Sequence, residues 1–288
     1  MLNQLQIIHS PTTYILLALF SLAIGSFLNV LIYRLPRMIQ AEWKKECRQI
    51  LNMSPELSEK INLFLPRSFC PACKAMIPAI HNLPLLSYLF LGGRCRQCKH
   101  SISPRYPLVE SLSCLLALLA AWHFDFNLTL VFALLFIWFS ISLFFIDLQH
   151  QILPDSLTLG LLWLGLIANT QSLFTSLSDA VLSAACAYLC LWLFIQIFYL
   201  CTGKIGMGHG DFKLFAAFGA WFGWTQLPLI LLFASLSGIL IGVIYLKAKG
   251  KTTKNTPIPF GPFLCIAGLV SLFGGKSFIN WYLTFLFN

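Results

Sequence analysis

Four acidic side chains, Glu110, Asp147, Asp155 and Asp211, fall within or at the edges of long apolar stretches of this sequence. An ionisable group in such a place is costly to keep and is a functional candidate by default. Asp147 closes the run Trp138 to Ile146, where a helix C-terminus disfavours a carboxylate, so capping does not explain it. Asp211 follows three alternating glycines, Gly206, Gly208 and Gly210. Glycines permit close backbone approaches, as an extended peptide laid beside the carboxylate needs. A helix cap would account for Asp211 but not for the glycines. Two carboxylates at one depth cannot both ionise cheaply. One then acts on a water as general base while the other, holding a proton, polarises a carbonyl, which is hydrolysis by an acid pair. Asp155, after Leu153-Pro154, is read as the N-cap of the next helix. Glu110 enters a helix in its first turns and is read as a positioning residue that shapes the site.

Four of the ten cysteines form two CxxC pairs, Cys70-Pro-Ala-Cys73 and Cys95-Arg-Gln-Cys98. Each pair offers two thiolates on one turn, which fits tetrahedral S4 zinc coordination. A pair of disulfides is the alternative, but the basic residues around them put this loop in the cytoplasm, a reducing compartment. A closed S4 site leaves no open position, so the metal is read as structural. The other six cysteines, Cys265 among them, are scattered and read as small packing residues. No internal repeat is evident.

The elements that must position these groups are membrane spans. The chain of 288 residues is 58% hydrophobic and 10% charged, against about 25% charged in a soluble domain. Its mean hydropathy is +0.79. The net charge of +9 does not indicate nucleic acid, because the charges sit in loops beside apolar spans. Apolar runs of about 20 residues mark spans, predicted near 12–33, 105–123, 127–146, 155–172, 179–201, 211–225, 227–246 and 258–275. The fold class is therefore all-α, a polytopic bundle of about eight transmembrane helices. Three parts are expected: a first transmembrane helix at 12–33, a zinc-binding loop domain at 34–104, and a core of about seven helices at 105–288. Gly274, Gly275 and Lys276 are read as an interruption of the last span.

Residues Arg34 to Arg105 hold twelve of the nineteen Lys and Arg against four acids, Glu42, Glu46, Glu56 and Glu59. The positive-inside rule places this loop in the cytoplasm. With the N-terminus outside, Lys204, Lys213 and the group from Lys247 to Lys254 fall on the same side, and Asp147 and Asp211 lie at that face. Such a basic loop is expected to hold anionic lipid headgroups.

With these pieces in order, the chain resembles the type IV prepilin peptidases, bifunctional leader peptidases and N-methyltransferases. The resemblance rests on Gly25-Ser-Phe-Leu-Asn29 with Arg34-Leu-Pro36, both CxxC pairs, and Ile102 to Glu110. It extends through Asp147, Leu153-Pro154-Asp155, Gly206 to Leu214, and Pro259-Phe-Gly261-Pro-Phe. It implies a membrane aspartic endopeptidase with Asp147 and Asp211 catalytic and Cys70, Cys73, Cys95 and Cys98 binding zinc. Its substrates would be prepilins and pseudopilins, cut after a glycine at the cytoplasmic face of the bacterial inner membrane, with a periplasmic N-terminus. It also implies N-methylation of the new N-terminal residue, usually phenylalanine, from S-adenosylmethionine; no glycine-rich strand–helix signature for that cofactor is visible. The alternative is a GxGD-type intramembrane peptidase acting on other leaders without methyl transfer. The sequence departs from the family pattern at Gln149 and Ile205, where acids are common.

Overall fold

The computed structural model describes residues 10–54, 62–64, 69–70, 72–78, 84–204, 206–248 and 259–287. Ile205 and the basic residues Lys249, Lys251 and Lys254 lie outside them. Among the described residues there is no strand, only two isolated β-bridges. The helices are α1 (Pro11–Ile50), α2 (Leu86–Phe90), α3 (Arg105–Phe124), α4 (Leu128–His150), α5 (Asp155–Thr170), α6 (Leu177–Thr202), α7 (His209–Phe222), α8 (Leu227–Ala248) and α9 (Gly261–Phe287). All but α2 match the eight predicted spans in order. Six of them, α1, α3, α4, α6, α8 and α9, are long and apolar enough to cross a membrane. The chain is a multi-span helical membrane protein.

The 16 residues of α5 and the 14 of α7 rise only about 24 and 21 Å, short of the ~30 Å hydrocarbon core. α7 is also covered by its neighbours. From Asp211 to Phe222 all but Lys213 are buried, with α5, α6 and α9 packed around α7. A helix that is hydrophobic all round is a buried one.

The chain divides into two compact units, Met1–Phe126 and Asn127–Asn288. In the first, Ser10 caps α1 by accepting from the Thr13 amide, and Pro11 occupies the first turn, where its missing N–H costs nothing. α1 does not stop at residue 33. It continues through Pro36 to Ile50, because the stretch after the proline is rich in helix formers such as Gln40, Ala41, Glu42 and Lys44. α1 and α3 cross closely: a Cβ on Gly25 would lie 2.8 Å from Glu110 Cα, and the Ser113 hydroxyl donates to the Ser21 carbonyl at 2.8 Å.

In the second unit α7 is fixed at its far end. The buried Asn169 donates to the carbonyls of Ala220 and Trp221 at 2.7 and 3.1 Å and accepts from the Phe174 and Thr175 amides. Trp221 Nε1 donates to the Leu161 carbonyl at 2.7 Å. Gly219 lets α6 approach α7, since a Cβ there would lie 2.7 Å from the Ser183 carbonyl oxygen. α9 runs unbroken through Gly274, Gly275 and Lys276. Gly275 is needed for space beside Gln226, whose side chain pairs with the Ser271 hydroxyl at 2.6 Å.

Candidate active site and metal centre

Asp147 stands in the last turn of α4, and its carbonyl accepts the amide of Gln151, which ends the helix in a left-handed conformation. Asp211 is the third residue of α7, with Gly208 at the N-cap position. Both carboxylates are buried, at 5% and 8% exposure, and they lie close enough for the charge of one to act on the other. Asp211 receives the Gly208 amide, yet its Oδ1 has no hydrogen-bond partner among the described residues. A buried carboxylate oxygen left unmatched is expensive. It is a position where a reacting group would find an acceptor.

Asp147 receives the amide of Gly261, the first residue of α9. It caps a helix after all, but one that begins far along the chain. The buried Cys265 lies one turn further on and feels both carboxylates. Neither Gly261 nor Cys265 was singled out as a site residue by sequence. Gly261 carried one local signal, a glycine opening a helix between Phe260 and Pro262.

The three glycines divide. A Cβ on Gly210 would meet Leu153 Cβ at 2.7 Å, and one on Gly206 would meet the Phe198 ring at 3.0 Å. Those two close approaches are made within the chain itself. Among the described residues, a Cβ on Gly208 would have only Asp211 Oδ2, at 3.5 Å, within contact. Gly208 is therefore the glycine with room beside the carboxylate.

Asp155 is not the N-cap of α5. Pro154 holds that position, and Asp155 is the first helical residue. Its carboxylate pairs instead with Lys213 of α7, Nζ to the two oxygens at 2.6 and 2.7 Å. Glu110, buried in the first unit, accepts the Leu85 amide at 2.8 Å and a hydrogen bond from Ser26. It ties the connection before α2 to the α1–α3 pair. Asn29 adds a hydrogen bond to the Tyr106 carbonyl at 3.0 Å.

The four cysteines converge. All are free thiols, and their sulfurs lie within 4.8 Å of one another. Cys70 and Cys98 stand 3.8 Å apart. A disulfide needs ~2.05 Å, whereas a tetrahedron of ~2.3 Å metal–sulfur bonds has edges of ~3.8 Å. The cluster could hold a metal ion, and the donor set fits one. The two turns repeat each other. Cys70 donates to the Ala75 carbonyl and accepts from Lys74, as Cys95 donates to that of His100 and accepts from Lys99. Lys74 and Lys99 both take positive φ, 60° and 57°, and bridges Phe69–Met76 and Arg94–Ser101 close the turns. Both turns carry the same short sequence, C-x-x-C-K. Amides of Cys98 and Gln97 donate to the Cys95 sulfur and bring its thiol down to about 6, favouring the thiolate a metal needs. For Cys98 the His100 amide lowers the value, but desolvation and the three other sulfurs outweigh it and raise the thiol to about 11.

Fold and site define a helical membrane protein with a buried pair of carboxylates in one unit and a four-sulfur centre in the other. Residues 19–124 match the bacterial peptidase A24 N-terminal domain and residues 134–243 the type IV leader peptidase family. The chain is 61% identical over 284 residues to a prepilin leader peptidase/N-methyltransferase of Legionella pneumophila, covering 98% of this chain and 99% of that one. Proteins of the same description from Pseudomonas aeruginosa and Dichelobacter nodosus are 48% and 44% identical over 277 residues each. They cover 96% and 94% of this chain and 95% of each relative. No solved structure matches it. The chain belongs to the type IV leader peptidase family.

Proposed function

We propose that this protein is a membrane aspartic endopeptidase that removes the leader of type IV prepilins and pseudopilins after a glycine, and then N-methylates the new N-terminal residue. The observation that carries the peptidase half is the meeting of two buried carboxylates, Asp147 and Asp211, from the ends of different helices. One carboxylate takes a proton from a water as its oxygen attacks the scissile carbonyl. The other donates its proton to the carbonyl oxygen, and the tetrahedral intermediate then collapses as a proton passes to the departing amine. The open space at Gly208 would admit the substrate backbone beside Asp211.

S-adenosylmethionine supplies the methyl group for the second reaction, as the names of the relatives imply. In the metal centre Cys70, Cys73, Cys95 and Cys98 would hold one zinc ion, which staples the residues on either side of α2 and takes no part in peptide hydrolysis. The distribution of Lys and Arg puts the 34–104 region and both aspartates at the cytoplasmic face of the inner membrane, with the N-terminus periplasmic. Residues 12–33 would be the first span, and 105–288 the peptidase core. The basic region would meet anionic lipid, and no nucleic acid is involved.

The test is co-expression with a prepilin, reading leader removal by gel shift and N-terminal mass. Asp147→Ala and Asp211→Ala should each abolish processing, whereas Asp155→Ala should process. Full processing by both of the first two variants would defeat the reading.

A further inference from the structure

We propose that Gly261 is the positioning residue for Asp147, and that Leu153 sets the spacing between the two halves of the site. The proposal rests on Asp147 belonging to the hydrolytic pair. The first N–H groups of a helix have no partner within it, and the helix dipole adds positive potential there. Gly261 presents such a group at the start of the 27-residue α9, aimed at the Asp147 carboxylate. Asp147 thereby obtains from α9 the compensation that the end of its own helix denies it.

The approach requires glycine for space. A Cβ at residue 261 would fall 2.6 Å from Asp147 Oδ2, nearer than Cβ atoms come to other atoms, and a tight 3.1 Å from its Cγ. The same Cβ would lie 3.2 Å from Leu153 Cδ1. On its other side Leu153 fills the place of a side chain at Gly210, the residue before Asp211. One leucine thus spaces the amide that holds Asp147 from the backbone that carries Asp211. The Asp155–Lys213 pair, two residues beyond Leu153 and two beyond Asp211, clamps the same connection to α7.

The full-length protein in phospholipid vesicles is assayed for cleavage of a prepilin and, separately, for methylation of an already processed pilin. Gly261→Ala should lose about 100-fold in cleavage kcat, the scale of a 1 Å misplacement, with KM unchanged and methylation at the wild-type rate. Gly268→Ala is the control: its Cβ would lie 2.8 Å from Phe218, so it crowds α9 without touching a carboxylate. It should lower cleavage no more than methylation. Equal loss of both activities in Gly261→Ala, or equal loss of cleavage in Gly268→Ala, would reduce Gly261 to packing and overturn the proposal. If Gly261→Ala does not accumulate in the membrane, Leu153→Ala carries the test, with cleavage reduced and methylation kept; unchanged cleavage overturns it. An inactive Asp147→Ala beside a fully active Gly261→Ala removes only the positioning role, whereas an active Asp147→Ala removes the catalytic reading beneath it.

Discussion

Lys213 of α7 grips both carboxylate oxygens of Asp155, the residue that opens α5. The pair sits two residues from Asp211 along the chain, yet Asp155 is 60% exposed in its side chain. An exposed pair of this kind contributes up to about 1 kcal/mol. Asp155→Asn should therefore keep cleavage within about fivefold of wild type, the equivalent of that energy, when initial rates are compared on one prepilin. A loss as complete as that of Asp147→Ala would mean that Asp155 takes part in the chemistry.

Glu110 provides a contrast, because its carboxylate is spent on the Leu85 amide and Ser26. Glu110→Gln keeps an acceptor for that amide and should unfold at nearly the wild-type temperature. Glu110→Ala leaves the amide unmatched and should cost about 1–3 kcal/mol, read by thermal unfolding in detergent. If Gln and Ala lower stability equally, the charge and not the hydrogen bond is what matters there.

Two glycines on different helices separate crowding from intrinsic preference. Gly219→Ala drives a methyl against the Ser183 carbonyl and should destabilise by about 1–3 kcal/mol. Among the described residues nothing lies within 4 Å of a Cβ added at Gly274, and Gly274→Ala should be neutral or stabilise by up to about 1 kcal/mol. The ranking of the two variants in denaturant unfolding decides the point, and a reversed order contradicts the packing described for α6 and α7.

Metal content tests the sulfur cluster directly. Purified protein should carry one zinc per chain by elemental analysis, and Cys70→Ser or Cys98→Ser should lower it to near zero. Chelation should increase proteolysis between residues 69 and 101, while prepilin cleavage by the folded core persists. Metal-independent protease resistance of that segment would argue against a staple.

The two aspartates, the four cysteines and the succession of apolar helices were legible because each leaves a local mark. A carboxylate in an apolar run, a CxxC spacing and about 20 hydrophobic residues all show within a short window of sequence. What escaped depends on distant partners. Asp147 caps a helix that begins at Gly261, and Asp155 finds Lys213 in place of its own helix end. Cys265 looks like any packing cysteine until α9 is laid beside α4. α7 reads from composition as a span, but that its sides are covered by other helices was not legible, because composition cannot tell neighbouring helices from lipid. The apolar run marked a first span at 12–33, whereas its helix goes on to Ile50 through residues that carry no apolar signal.

The bond between Gly261 and Asp147 also orders events during synthesis. A chain emerging from the ribosome presents residue 147 long before residue 261, and domains take shape from the N-terminal side first. Until α9 has been made and inserted, the Asp147 carboxylate lacks the amide that holds it, and the wall containing Cys265 does not exist. The pair of aspartates is thus completed by the last of the described helices to be translated. On the proposed function, a nascent or truncated chain already seated in the membrane would carry both aspartates and remain inert.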